Sequence, residues 1–297
     1  MQRKEKLLFV VNPISGYGKK DQIGALIDKY LDHHKYEYQL FKTNFPGHAR
    51  ELAQKAVSDE TDMVIAVGGD GTINEIVNVL AKTQVKLGII PLGSGNGLGR
   101  HVGIPLNPKK AINSINKGKC LPIDTCLVNG VTFVNMAGVG FEAYISKVFN
   151  ESNERGLLTY LKCVIQHFNN YRTESYEFMV EGKLIKQRYL TIAFANSQQY
   201  GNNAYVAPRA SIKDGYLDVV FVQTFPFYYW PVLIFKTLTK KLHTSRYIKT
   251  HRTKHFHLKA EHPVPMHVDG DFHSSLADFQ VEIQPKSLNL IVGKEVI

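Results

Sequence analysis

Residues 67–75 read Val67-Gly68-Gly69-Asp70-Gly71-Thr72-Ile73-Asn74-Glu75. The apolar run Met63–Val67 leads into this stretch as a buried strand, and the apolar spacing from Thr72 to Ala81 leaves it as a helix. Three glycines between the two let the backbone approach a ligand closely and take conformations closed to other residues. The helix then turns unpaired N–H groups and the positive end of its dipole toward that ligand, which suits phosphate. Asp70 is out of place beside phosphate, since like charges 4 Å apart repel by roughly 4 kcal/mol at an effective dielectric of 20. A carboxylate here is explained by a bound Mg²⁺, by a proton taken from an attacking hydroxyl, or by a cap on a tight turn.

Outward from this stretch the same rhythm repeats. Upstream, Leu7–Val11 and Tyr36–Phe41 read as strands, with helical patterns at Lys20–Leu31 and Gly47–Val57; downstream, Leu87–Ile90 reads as a fourth strand. Strand and helix in alternation predict βαβ units around a parallel sheet. A second glycine-rich loop, Pro91-Leu92-Gly93-Ser94-Gly95-Asn96-Gly97-Leu98-Gly99-Arg100, follows the fourth strand. A third, Asn12-Pro13-Ile14-Ser15-Gly16-Tyr17-Gly18-Lys19-Lys20, follows the first and lacks the GxxxxGK[ST] spacing. All three lie at the C-terminal ends of strands, where open α/β sheets bind ligands.

Beyond residue 118 the pattern changes. Ile123–Val128 and Val131–Met136 flank Asn129-Gly130, a two-residue hairpin signal. Helical stretches near Tyr144–Phe149 and Leu157–Phe168 precede strand-like runs at Tyr176–Val180 and Arg188–Phe194, with Glu181-Gly182 as a turn. Leu217–Val222 and the run from Phe256 to the C-terminus are again strand-like. The expected fold is an N-terminal α/β nucleotide-binding domain with a parallel sheet, residues 1–122, and a mainly antiparallel β-sandwich domain with inserted helices, residues 123–297. The last strand is free to return to the first domain.

The charge is uneven. The 297 residues carry a net +10, yet no Asp or Glu stands between Val219 and Ala260, where eight Lys and Arg fall. That favours polyanions or anionic surfaces. Before the basic residues comes Phe225-Pro226-Phe227-Tyr228-Tyr229-Trp230-Pro231-Val232-Leu233-Ile234-Phe235, at 11 residues too short for a membrane span but rich in rings that favour the headgroup level. Three cysteines form no CxxC pair, which argues against a disulfide scaffold and zinc modules and suits a cytoplasmic protein held peripherally at a membrane.

In this order and spacing, NPxSG, GGDGTxNE and PLGSGNxxxR resemble the diacylglycerol kinase catalytic domain superfamily, which includes bacterial soluble lipid kinases and the sphingosine kinases. The resemblance runs on through Gly138-Val139-Gly140-Phe141-Glu142-Ala143, similar to GxGFDA, and His267-Val268-Asp269-Gly270-Asp271, similar to VDGE. It implies ATP and Mg²⁺ as cofactors, with nucleotide contacts at Asn12, Pro13, Ser15, Gly16, Thr43, Gly68, Gly69, Gly71, Thr72, Asn74, Glu75, Gly93, Ser94, Gly95 and Asn96. It implies a proton acceptor at Asp271, or at Asp70 by analogy with sphingosine kinases. A structural magnesium would fall on Ser211, Asp214 and Tyr216. Glu142 and Arg100 are candidate substrate contacts, Glu142 for a cationic amine or a hydroxyl headgroup unless it is a plain surface helix residue. Related kinases are often homodimers. Two positions depart from the pattern: Asp271 is one methylene shorter than the usual Glu, and Gly97 stands where diacylglycerol kinases have Asp.

The expected activity is transfer of the ATP γ-phosphate to the hydroxyl of a membrane lipid of diacylglycerol or sphingoid-base type. Two other readings compete. NAD kinases also carry a GGDGT loop, but NPxSG and the aromatic, basic segment speak against one. A non-catalytic basic protein binding membranes or nucleic acid is permitted by the charge, yet no nucleic-acid motif accompanies it.

Overall fold

The computed structural model describes residues 3–15, 22–151 and 157–293. In chain order the elements are β1 (Glu5–Val11), α1 (Ile23–Tyr30), β2 (Tyr36–Lys42), α2 (His48–Ser58), β3 (Met63–Gly68), α3 (Asp70–Leu80), β4 (Lys86–Pro91), α4 (Gly97–His101) and α5 (Pro108–Lys117). There follow β5 (Cys120–Val128), β6 (Val131–Phe133), β7 (Met136–Gly140), α6 (Phe141–Glu151), α7 (Leu157–Phe168), β8 (Glu174–Val180), β9 (Lys183–Tyr189) and β10 (Thr191–Ala195). The chain ends with β11 (Leu217–Val222), α8 (Trp230–Leu238), β12 (Ile248–Thr253), β13 (His255–Val268) and β14 (Asp271–Ile291). Two compact units result, one of Met1–Thr125 with Pro285–Ile297 and the other of Cys126–Gln284.

The first unit is a parallel sheet in the order β2-β1-β3-β4, with Asn289 and Leu290 of β14 adding parallel to β4. Phe9, Val10, Val64, Ile65 and Ile90 are fully buried, as strands covered on both faces require. α2 buries Ala49, Leu52, Ala53 and Ala56, and α3 buries Ile73, Ile76, Val77 and Leu80, both at helical spacing. α5 is absent from the pattern reading although its signals are in the sequence. Asn107 accepts the Lys110 N–H as N-cap, Pro108 opens the first turn, and Gly118 closes the helix at φ +63°.

The second unit is an antiparallel sheet, β12-β11-β10-β7-β13-β14, with β8 paired to β13 and β9 to β8. Alternation along its strands supplies two cores. Ile192 and Phe194 of β10 join Phe178, Phe221, Phe256 and Phe279 on one face, the sandwich interior. Ala193 and Ala195 face Phe141, Ile145, Phe168, Phe225 and Leu233, which α6, α7 and the segment around α8 contribute on the other. The turns at Asn129-Gly130 and Glu181-Gly182 have positive φ at both positions, as tight hairpins demand.

Two expected strands are each divided. Val131–Met136 breaks because the N–H groups of Val134, Asn135 and Met136 donate to the Asp269 carboxylate and not to a ladder. Arg188–Phe194 breaks at Leu190, whose N–H donates to Val222 and whose carbonyl accepts the Phe141 N–H at the start of α6.

Candidate active site

In the first unit, three loops meet at the C-terminal ends of β1, β3 and β4. The Asn12 N–H donates to the Val67 carbonyl (2.9 Å) and the Leu92 N–H to that of Gly68 (2.8 Å), so the strands stay in register into the loops. Asn12 gives its amide to Thr72 Oγ1 (3.0 Å) and accepts the Ile14 N–H, while Ser15 Oγ donates to the Asn12 carbonyl. Thr43 is buried and held to Val11 through its N–H. Gly69 and Gly93 pass so closely that a Cβ on Gly93 would lie 2.5 Å from the Gly69 Cα. Asn96, at φ +51°, closes its loop by accepting the Gly93 N–H (2.8 Å) and donating to the Gly93 carbonyl (2.5 Å).

Carboxylates join these loops. Asp70 opens α3, and its Oδ1 accepts the Gly97 N–H (2.8 Å), tying the first glycine loop to the second. Glu75 turns away to accept the N–H groups of Gly47 (3.0 Å) and Ala49 (3.1 Å) at the start of α2. Asn74 accepts the Asn78 amide through its carbonyl, and Arg100 Nε donates to the Gly95 carbonyl (3.0 Å). Ser94 is exposed at the loop tip, Pro13 and Gly95 lie in the same loops and Gly71 in the first turn of α3; Gly16 lies outside the described residues. Side chains thus hold the loops in shape, and backbone is left to meet a ligand.

In the second unit, Asp269 and Gly270 form the turn between β13 and β14, both at positive φ. Asp269 is buried by its three backbone donors, and Asp271, exposed, opens β14. Asn135, Asn196 and Ser197 surround the same turn: the Asn196 amide donates to Val134 and Ser197 Oγ to Asn135 Oδ1. None of these three stands out in the sequence, since Asn196 and Ser197 follow Asn135 by about 60 residues.

Glu142 stands in the first turn of α6, fixed by its N–H to Thr191 Oγ1 (3.2 Å). Gly140 before it, at φ +94°, has no room for a side chain, since a Cβ would lie 2.5 Å from the Leu190 carbonyl oxygen. Glu142 Oε2 accepts the Tyr200 hydroxyl (2.6 Å) and lies 3.9 Å from His267 Nε2. Burial pushes the Glu142 carboxyl up to about 7, against the pull of the Tyr200 hydrogen bond. Burial also lowers His267 to about 4, so its imidazole is neutral at pH 7 and 3.9 Å is neither an ion pair nor a hydrogen bond.

Ser211, Asp214 and Tyr216 do not form a free cation site. Asp214 pairs with the Arg252 guanidinium and accepts the Tyr216 N–H, and Arg252 lies 4.6 Å over the Tyr216 ring. The arginine already supplies the positive charge that a magnesium would bring, so these residues as arranged do not fit the ion. Among the described residues no three His, Cys, Asp or Glu side chains gather as metal ligands. The aromatic segment is divided in its use: Phe225 and Leu233 are core residues, while Tyr228 (76% exposed), Ile234, Phe235 (63%) and Leu238 face outward. No helix of the described residues is long and apolar enough to cross a membrane.

Known proteins place this geometry. The profile of the diacylglycerol kinase catalytic domain matches residues 6–128, and that of the YegS C-terminal NAD kinase beta sandwich-like domain matches residues 135–292. A diacylglycerol kinase of Mycobacterium tuberculosis (strain ATCC 25618 / H37Rv) is 29% identical over 90% of this chain and 89% of its own. One of Bacillus subtilis (strain 168) is 31% identical over 72% of each. A solved diacylglycerol kinase structure from Bacillus anthracis str. Sterne, 24% identical, covers 100% of both chains at a TM-score of 0.75 and shares the fold. With a catalytic-domain match over the glycine loops and a YegS-type match over the sandwich, the chain belongs to the diacylglycerol kinase and YegS-like family of lipid kinases.

Proposed function

We propose that the protein transfers the γ-phosphate of Mg·ATP to the hydroxyl of a lipid that stays in the bilayer. The observation that carries the reading is the tying of three glycine-rich loops at one sheet edge, through Asn12 to Thr72 and Asp70 to Gly97. That arrangement supports phosphate binding by backbone N–H groups at the start of α3. Magnesium enters with the nucleotide and offsets phosphate charge. The lipid oxygen bonds to the γ-phosphorus as the bond to the bridging oxygen breaks, and the hydroxyl proton goes to a carboxylate.

Asp271 is the better candidate for that carboxylate, being exposed at a fixed hairpin end, and Asp70 serves the loops by accepting the Gly97 N–H. Access to the lipid is supported by the outward face of α8, with exposed Lys240 and Lys241 after its exposed apolar residues.

The test is transfer of labelled γ-phosphate to mixed micelles containing diacylglycerol, monoacylglycerol, sphingosine or ceramide. Asp271→Asn is expected to lower kcat by about 10²–10⁴-fold with ATP binding kept, the range for loss of a general base. Asp70→Asn is expected to weaken ATP binding as well. Product from NAD and none from any lipid would overturn the reading.

A further inference from the structure

Asp269 binds more backbone than its turn requires. Val268 and Asp271 pair across a two-residue turn in which Asp269 and Gly270 take φ +48° and +96°. That geometry asks only for residues that tolerate positive φ. Glu181-Gly182 makes the same kind of turn between β8 and β9, and Glu181 there is exposed. Asp269 is instead 9% exposed and is bound to the connection between β6 and β7. Its Oδ1 accepts the N–H groups of Asn135 (2.8 Å) and Met136 (3.1 Å), and its Oδ2 that of Val134 (3.1 Å). Its own N–H donates to the Met136 carbonyl (2.8 Å). A second segment holds residues 134–136 as well. The Asn196 and Ser197 N–H groups both donate to the Asn135 carbonyl (2.9 and 3.1 Å), and Asn196 Nδ2 donates to that of Val134 (2.8 Å).

We propose that Asp269 is a positioning residue for the phosphoryl transfer: it fixes the hairpin tip and, two residues on, the carboxylate of Asp271. The proposal rests on the lipid-kinase reading, in which Asp271 takes the hydroxyl proton. Asp271 is exposed, and an unbraced loop tip moves within nanoseconds to microseconds. A reacting group displaced by about 1 Å loses about 10²-fold in rate. The Asp269 carboxylate and N–H tie the tip to residues 134–136 and remove that freedom. An ionised carboxylate suits the task because it only accepts, through two oxygens. An amide offers one oxygen and sets an NH₂ group against a backbone N–H. Because Oδ1 and Oδ2 serve different peptide groups, the side chain cannot rotate without releasing one of them.

The experiment compares the full-length protein with Asp269→Asn, Asp271→Asn and the double variant in labelled phosphate transfer to the same lipid micelles. Amide hydrogen exchange over residues 134–136 and 268–272 is followed on the same samples. Asp269→Asn is expected to lower kcat about 10-fold to 100-fold with the KM for ATP unchanged. On the Asp271→Asn background the same change is expected to alter kcat by less than about twofold, because the residue it positions is already gone. Exchange is expected to quicken at Val134, Asn135, Met136 and Asp271 and to stay as it was elsewhere. Asp269→Ala leaves three N–H groups without this acceptor and is expected to lower thermal stability too, so the Asn variant decides. Glu181→Gln, in the matching turn, is expected to change neither kcat nor exchange. An equal loss of kcat on both backgrounds overturns the proposal. So does an unchanged kcat, or a raised KM for ATP with kcat kept. If the native protein phosphorylates no lipid, the kinase reading falls and exchange decides alone. Unaltered exchange at residues 134–136 then overturns the proposal, and local acceleration leaves Asp269 as the residue that fixes Asp271.

Discussion

The glycine loops of the first unit and the Glu142–Tyr200–His267 cluster of the second use side chains in opposite ways. In the loops, Asn12, Asp70, Asn96 and Arg100 bind the chain's own backbone or neighbours, leaving the peptide groups to do the recognition. In the cluster the backbone around Glu142 and His267 is tied up in α6 and β13, Tyr200 and Glu142 bond each other, and the His267 nitrogens have no hydrogen-bond partner among the described residues. A phosphate chain is recognised as charge and shape by many N–H groups, whereas a buried polar cluster is held by a few directed side-chain bonds such as that from Tyr200 to Glu142. The difference sets what breaks each region: added volume in the loops, altered protonation in the cluster.

The largest effect is expected at Gly93. Its substitution by Ala forces a Cβ to within 2.5 Å of the Gly69 Cα, a backbone atom that cannot swing aside, so the two loops must part. Overpacking of this kind costs about 1–3 kcal/mol. We expect Gly93→Ala to lower stability by that amount in denaturant unfolding and to abolish measurable ATP binding. Gly24 in α1 is the control, with nothing within 4 Å of an added Cβ. Gly24→Ala should raise stability by about 0.5–1 kcal/mol through helix propensity. Equal destabilisation by both would show that the Gly69–Gly93 approach is not tight.

The same contrast decides how much could be read from residues alone. The loops are contiguous, and glycine, Asp and Asn in fixed order at strand ends announce backbone recognition; the tie from Asp70 to Gly97 is not legible there, because the fold has to bring residues 27 apart together. Glu142 was visible within a motif. His267 stands in the sequence only as the residue that opens the VDGE-like segment, and its neighbours in space, Tyr200 and Glu142, lie 67 and 125 positions away. The magnesium expected around Asp214 depended on Arg252, 38 residues on, which no local pattern reports. Strand identity survived where alternation was unbroken. It failed at Leu190 and Asn135, where peptide groups leave the ladder for α6 and for the Asp269 carboxylate.

A pH titration of stability sharpens the second half of the comparison. His267, lowered from 6.5 to about 4, contributes stability that is full above 6.5 and lost as pH falls through 4. Glu142, raised from 4.5 to about 7, contributes stability that is full below 4.5 and lost as pH rises through 7. Each shift corresponds to about 3 kcal/mol, and the windows overlap with opposite sign, so in the native protein the two nearly cancel. His267→Leu should therefore gain stability as pH falls from 7 to 4.5, and Glu142→Gln should lose it from 6.5 to 4. Parallel curves for both variants and the native protein would mean that the two groups are not buried as a pair.

The smallest effect separates membrane docking from both sites. The outward face of α8 carries exposed Ile234, Phe235 and Leu238, with exposed Tyr228 just before the helix and exposed Lys240 and Lys241 after it. Each lysine near an anionic surface is worth about 1 kcal/mol, and that attraction fades over a Debye length of about 10 Å at 0.1 M salt. Lys241→Gln should weaken sedimentation with phosphatidylglycerol vesicles about fivefold at low salt. It should have no effect on phosphatidylcholine vesicles and a vanishing one at 0.5 M salt. Phe235→Ser should weaken binding to both vesicle types at every salt concentration, because apolar burial is not screened. If the lysine and phenylalanine variants respond alike to salt, the face binds by charge alone. Its rings then do not enter the headgroup layer, and acceptor delivery must be assigned to another surface of the second unit.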